Sequence, residues 1–227
     1  MDLKRMLNDH GLDVDEGVSE TLERYLEFLR NSPMNLTSID PEDMPYKVVL
    51  DTLYPLREFP IDDTFIDVGT GGGIPGVVIS IVHGVEGVLL DSRSKKLNAL
   101  RGFVERENLK LELVHGRAED LGHDPRFRER FLYVLCRALA PMRTALELTA
   151  PFATLGGYIL MYKGRSWREE LEVSWKVMEM LGVDLGDVLE YELPSGEKRS
   201  LIILEKIERT PKRYPRKAGL PEKRPLG

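Results

Sequence analysis

The apolar positions of the chain follow two periods. Up to about residue 62 they recur at helical spacing: Leu22, Leu26 and Leu29, flanked by Tyr25 and Phe28, form one stripe, which Asn31-Ser32-Pro33 ends. A second helix is predicted over 41–54, with Asp40 as N-cap and Pro41 at its first position. Pro55 and Pro60 bracket the connector that follows. From about 63 to 207, apolar runs of strand length alternate with helix-length segments. Strands are predicted at 64–68, 87–91, 111–115, 131–136, 158–162, 188–192 and 200–205, and helices at 74–83, 93–107, 141–154 and 167–181. Such alternation predicts an α/β fold with a doubly wound, mainly parallel seven-stranded sheet. The last two strands are joined by Pro194-Ser195-Gly196 rather than a helix, which predicts a C-terminal antiparallel hairpin. Three regions result: an N-terminal helical extension (1–62), the α/β domain (63–207) and a tail (208–227). Pro211, Pro215, Pro221 and Pro225 forbid a long helix in the tail and leave it extended along the domain or disordered.

Charge changes the picture of the tail. The chain carries a formal −6, but residues 206–227 hold eight basic and two acidic side chains, leaving −12 on the remainder. A basic end on an acidic body suits contact with phosphate, or else merely solvates a chain end. No apolar run reaches the roughly 20 residues needed to cross a bilayer, and no secretory leader is read at the start. The single cysteine, Cys136, excludes an internal disulfide framework and a cysteine-based zinc site, which points to a reducing cytoplasm.

Candidate chemistry concentrates in Phe65-Ile66-Asp67-Val68-Gly69-Thr70-Gly71-Gly72-Gly73-Ile74-Pro75-Gly76, where a buried strand runs into a glycine loop and a helix leaves it. Glycines let backbone amides approach a ligand, and the helix adds its positive end. The spacing Gly71-x-Gly73-x-x-Gly76 formally fits a dinucleotide fingerprint. Asp67 argues against that, because an anion at the strand end repels a pyrophosphate and suits a cationic ligand; its structural alternative is to hold the glycine loop. Asp91, ending the second strand, is placed to accept hydrogen bonds from two ribose hydroxyls, or to cap the following helix. Gly116-Arg117-Ala118-Glu119-Asp120 follows the third strand, where this fold flanks an adenine. Cys136 is either a covalent nucleophile or a small buried residue. The four histidines are scattered, and no metal-binding spacing occurs.

Five βα units closed by a hairpin are the Rossmann-like arrangement of class I S-adenosylmethionine-dependent methyltransferases. The chain resembles one family of these, the ribosomal RNA small subunit methyltransferase G or glucose-inhibited division protein B family. The matching blocks include Met34-Asn35-Leu36-Thr37-Ser38, the glycine loop, Leu90-Asp91-Ser92-Arg93-Ser94-Lys95-Lys96, Arg137-Ala138, Tyr162-Lys163-Gly164, and the stretch from Thr210-Pro211-Lys212-Arg213-Tyr214 through Pro215-Arg216-Lys217-Ala218-Gly219. The resemblance implies methylation of N7 of guanine 527, in the 530 loop of bacterial 16S rRNA. Its cofactor is S-adenosylmethionine, its partner the rRNA or small ribosomal subunit, and it is expected to act as a monomer without metal or membrane. Cofactor contacts are expected from Asp67, Gly69, Gly71, Ile74, Asp91, Ser92, Arg93, Ala118, Glu119 and Arg137. Arg137 and Lys163 are expected at the reacting centre, and Lys95, Lys96, Lys212, Arg213, Arg216 and Lys217 on rRNA phosphates. Lys47-Val48 stand where the family often has Arg-His, so any role of that histidine is absent. Two other readings remain: an NAD-dependent oxidoreductase, which tight binding of NADH without binding of S-adenosylmethionine would favour, and a non-catalytic RNA-binding protein that kept the fold.

Overall fold

The computed structural model describes residues 2–227. Helices α1 (Leu3–Asp9) and α2 (Glu16–Asn31) open the chain, each capped by an aspartate: Asp2 accepts from the amide of Arg5 and Asp15 from that of Val18. The predicted α2 stripe is realised, with Leu22, Tyr25, Leu26 and Leu29 buried. The next helix begins later than 41. Residues 41–43 form a turn, and a π-helical segment (Pro45–Leu50) runs into α3 (Asp51–Leu53). Pro45, not Pro41, takes the first helical position, because the Asp43 carbonyl accepts from the amides of Tyr46 and Lys47 and its carboxylate pairs with Lys47 at 2.9 Å.

The α/β core follows as β1 (Phe65–Val68), α4 (Gly76–His83), β2 (Gly87–Asp91), α5 (Ser94–Arg106), β3 (Leu111–His115), α6 (Ala118–Leu121), β4 (Phe131–Arg137), α7 (Met142–Thr149) and β5 (Ala153–Gly164). Then come α8 (Trp167–Glu172), α9 (Trp175–Leu181), β6 (Val183–Glu192) and β7 (Lys198–Lys206). The single helix predicted over 167–181 is two: the Ser174 hydroxyl donates to the Glu170 carbonyl and its amide to that of Leu171, breaking the ladder there. The sheet order is β3-β2-β1-β4-β5-β7-β6, with β7 antiparallel to both neighbours and all other pairs parallel. Chain direction reverses its progress between β1 and β4, where α/β sheets open a crevice at the carboxyl ends of the strands.

Strand alternation divides the interior into two layers. Phe65, Leu89, Leu135, Leu160 and Leu201 pack with α1, α2, the π-helical segment and α4. Ile66, Val68, Val134, Cys136, Ile159 and Ile202 pack with α7, α9 and the tail. The N-terminal extension is thus one covering layer of the sheet. It also touches the glycine loop directly, since the Tyr25 hydroxyl donates to the Gly72 carbonyl at 2.8 Å.

The tail lies ordered along the second layer and ends in a short helix, α10 (Leu220–Lys223). Arg128 donates to the carbonyls of Thr210 and Tyr214, a ring nitrogen of His123 meets that of Pro215, and Tyr214 and Leu226 are buried. The buried Lys206 donates to the Leu181 carbonyl and to Thr210 Oγ1, and burial lowers its amine to about 8. Arg216, expected among the phosphate contacts, is instead paired two-pronged with Glu147, a wholly buried carboxylate, at 2.7–3.1 Å. Its role here is to hold the tail down. Arg216→Met is expected to lower stability by about 3–5 kcal/mol, because it strands a buried anion; urea unfolding measures the loss.

Candidate functional site

Two adjoining cavities open at the carboxyl ends of the strands. The first, of about 600 Å³, has the size of a small-molecule site. Gly69 and Gly71, both at positive φ, form its glycine-loop wall. The positive φ strains any side chain at Gly69, and a Cβ there would lie 2.5 Å from Leu139 Cδ1, which would have to swing aside. Asp91, Ser92 and Arg93 from the end of β2, and Ala118 and Glu119 from the start of α6, also line it, as expected from sequence.

Asp91 is already engaged with backbone on two sides. Its Oδ2 accepts from the Gly71 amide and its Oδ1 from the Arg93 amide, both at 2.8 Å, so it ties the glycine loop to the entry of α5. A carboxylate offers about four acceptor positions, so lone pairs remain for a ligand's hydroxyls. Glu119 is more fully engaged: Oε1 accepts from Arg117 Nη2 at 2.6 Å and from the amide of Gly219, in the tail, at 2.8 Å. Its carboxyl lies below the ordinary carboxylate range, since these partners outweigh burial.

Three expected cofactor residues lie elsewhere. Asp67 is wholly buried beneath α4, with Oδ2 accepting from the Thr70 hydroxyl at 2.7 Å and the Gly76 amide at 3.0 Å. It holds the loop from below, as its structural alternative had it, because its alternating position on β1 turns it into the first core layer. Ile74 is likewise packed against that layer. Arg137 lines the second cavity.

Burial pushes the Asp67 carboxyl up to about 7. An unfolded chain releases that proton near the ordinary aspartate value of 3.8, so between those values the unfolded state binds fewer protons and stability falls as pH rises. The Asp67→Asn variant is expected to lose this contribution, on the order of 3–4 kcal/mol across the window. Denaturant midpoints of both proteins at pH 4, 5.5 and 7.5 test it.

The second cavity, of about 440 Å³, lies beyond Ala138, Ala140 and Pro141, which border both cavities. Arg137 and Lys163 meet here. Arg137 Nη2 pairs with the buried Asp51 at 2.7 Å; Lys163 Nζ pairs with Glu170 at 2.7 Å and donates to the Ala140 carbonyl at 3.1 Å. Arg199 approaches Asp51 at 3.5 Å, and the Tyr191 hydroxyl donates to it at 2.7 Å. Asp51, Tyr162, Glu170 and Arg199 were not among the residues picked from sequence. They come from separate segments, and a local signal given by the resemblance was the matching block Tyr162-Lys163-Gly164.

Cys136 lies in the core and burial raises its thiol to about 12, so it is the small buried residue of the two readings. Lys96 borders the first cavity, whereas Lys95, Lys212, Arg213 and Lys217 are solvent-exposed. Among the described residues no group of three or more His, Cys, Asp or Glu is placed to hold a metal ion, and no helix is long and apolar enough to cross a membrane.

Comparison with known proteins supplies the family. Residues 18–201 match the sequence model of GidB, described as rRNA small subunit methyltransferase G. The chain is 40% identical over 227 residues to the ribosomal RNA small subunit methyltransferase G of Thermotoga petrophila, covering 99% of this chain and 98% of that one. It is 39% identical over 229 residues to the protein of the same name from Oenococcus oeni, covering 97% and 95%. In fold it resembles the crystal structure of a SAM-dependent methyltransferase from Aquifex aeolicus, with a TM-score of 0.55 at 19% identity over 73% of this chain and 93% of that one. The chain therefore belongs to the rRNA small subunit methyltransferase G family.

Proposed function

We infer that the protein methylates N7 of guanine 527 in 16S rRNA, using S-adenosylmethionine held in the first cavity and the target base in the second. The observation that carries this reading is the junction of the two cavities: Ala138, Ala140 and Pro141 line both, so a donor in one and an acceptor in the other meet at the end of β4. The donor set of the first cavity fits a nucleoside. Asp91 accepts from ribose hydroxyls, the positive-φ glycines leave room for its methionine portion, and the stretch from Gly116 into the start of α6 flanks the base. When bound, S-adenosylmethionine supplies an electrophilic methyl group on a sulfonium.

Guanine N7 presents an in-plane lone pair and no proton, so its methylation asks no general base of the chain. What the residues contribute is placement. Arg137, fixed by Asp51, and Lys163, fixed by Glu170 and the Ala140 carbonyl, present donors whose positions are set before the base arrives. The base gains positive charge on methylation, which the Glu170 carboxylate and the Ala140 carbonyl stabilise. Lys95, Lys96, Lys212, Arg213 and Lys217 supply phosphate contacts that carry no sequence information.

Mass mapping of 16S rRNA from a strain lacking the gene tests the reading. The fragment containing guanine 527 is expected one methyl group lighter than in the parent, and an unchanged mass rejects the assignment.

A further inference from the structure

The basic tail does more than lie along the domain. Two of its residues, Glu222 in α10 and Pro225 just beyond it, line the first cavity together with Arg117, Ala118 and Glu119. Four independent fastenings hold the tail there. Arg216 grips the buried Glu147, the Gly219 amide donates to Glu119, the Thr144 hydroxyl donates to the Pro221 carbonyl at 3.1 Å, and Arg143 donates to the carbonyls of Leu226 and Gly227. Thr144 belongs to the cavity wall itself, so fastening and wall are continuous.

These contacts reassign a role. Glu119, expected among the cofactor contacts, is buried and already accepts from Arg117 and Gly219. It anchors the tail. A further carboxylate lining the cavity is Glu222, exposed and close enough to Arg117 to raise the latter's affinity for its proton.

We propose that residues 216–227 are a strap forming the outer wall of the cofactor cavity, with Glu222 as a cofactor-binding residue that accepts a hydrogen bond from the nucleoside's exocyclic amine. The proposal rests on reading the first cavity as the S-adenosylmethionine site. It makes the proline-rich end of the chain part of the cofactor pocket on its inner side, while Lys212, Arg213 and Lys217 remain exposed on the preceding stretch and its start.

Calorimetric titration of the full chain with S-adenosylhomocysteine tests this, using the parent, Glu222→Ala and Glu222→Lys. Loss of a charge-assisted hydrogen bond is expected to weaken binding by about tenfold or more in Glu222→Ala, and further in Glu222→Lys. Unliganded melting temperatures are expected to coincide, because Glu222 is exposed. Binding of both variants within about twofold of the parent overturns the strap contact while leaving the cavity assignment standing. Absence of binding by the parent overturns the cavity assignment, and the strap with it.

Discussion

Asp91→Ala is expected to weaken S-adenosylhomocysteine binding by about 100-fold, equivalent to about 3 kcal/mol. Two losses combine. The substitution removes the carboxylate proposed to accept from both ribose hydroxyls, and it releases the amides of Gly71 and Arg93 that the same carboxylate now holds at 2.8 Å. The first is a direct loss of contact. The second loosens the glycine loop, so that binding must order backbone which the parent presents already ordered. Asp91→Asn is expected to lie between, because its amide oxygen still accepts hydrogen bonds while its nitrogen cannot. Calorimetry is expected to rank the proteins parent, Asn, Ala. If Asp91→Ala binds as tightly as the parent, neither the ribose contact nor the loop tether contributes to binding.

Much of this cavity was legible in the sequence because it is local. The glycine loop, Asp91-Ser92-Arg93 and Ala118-Glu119 each sit directly after a strand, and in a parallel sheet all such ends face one crevice. Strands β2 and β3 were read at their exact limits, since turn residues flank them closely. What escaped was whatever depends on packing between distant segments. Asp67 stands two residues before the loop, yet strand alternation turns it into the core, away from the cavity. Arg216 counts as one more positive charge in a basic tail until Glu147 is found beneath it. The helix start at Pro45 rather than Pro41 was decided by Asp43 and its contacts with Lys47, a choice that capping rules alone left open. The second cavity is the clearest case. Its ion pairs join α3, β4 and β7, three elements whose adjacency only the sheet order creates.

That junction makes the other large prediction. Asp51 is buried at 2% exposure, and it balances Arg137 at 2.7 Å and Arg199 at 3.5 Å while accepting from the Tyr191 hydroxyl. Among the described residues, Arg137 Nη1 is buried without a hydrogen-bond partner, so little else holds this guanidinium. Asp51→Ala leaves two cations facing each other across an empty site, and is expected to cost about 3–5 kcal/mol of stability. The catalytic consequence is separable from the structural one. Asp51 does not line the first cavity, so S-adenosylhomocysteine affinity is expected to stay near the parent value under conditions where the variant is folded. Methyl transfer to rRNA is expected to fall about 100-fold in kcat, because Arg137 loses the geometry that positions the base. Asp51→Asn keeps an acceptor for Arg137 and Tyr191 and is expected to recover part of both losses. Single-turnover transfer of a labelled methyl group, alongside calorimetry on the same samples, reads the two effects separately. Equal loss of cofactor affinity and turnover would make Asp51 a scaffold for the whole domain; full turnover in Asp51→Ala would remove Arg137 from the reacting centre.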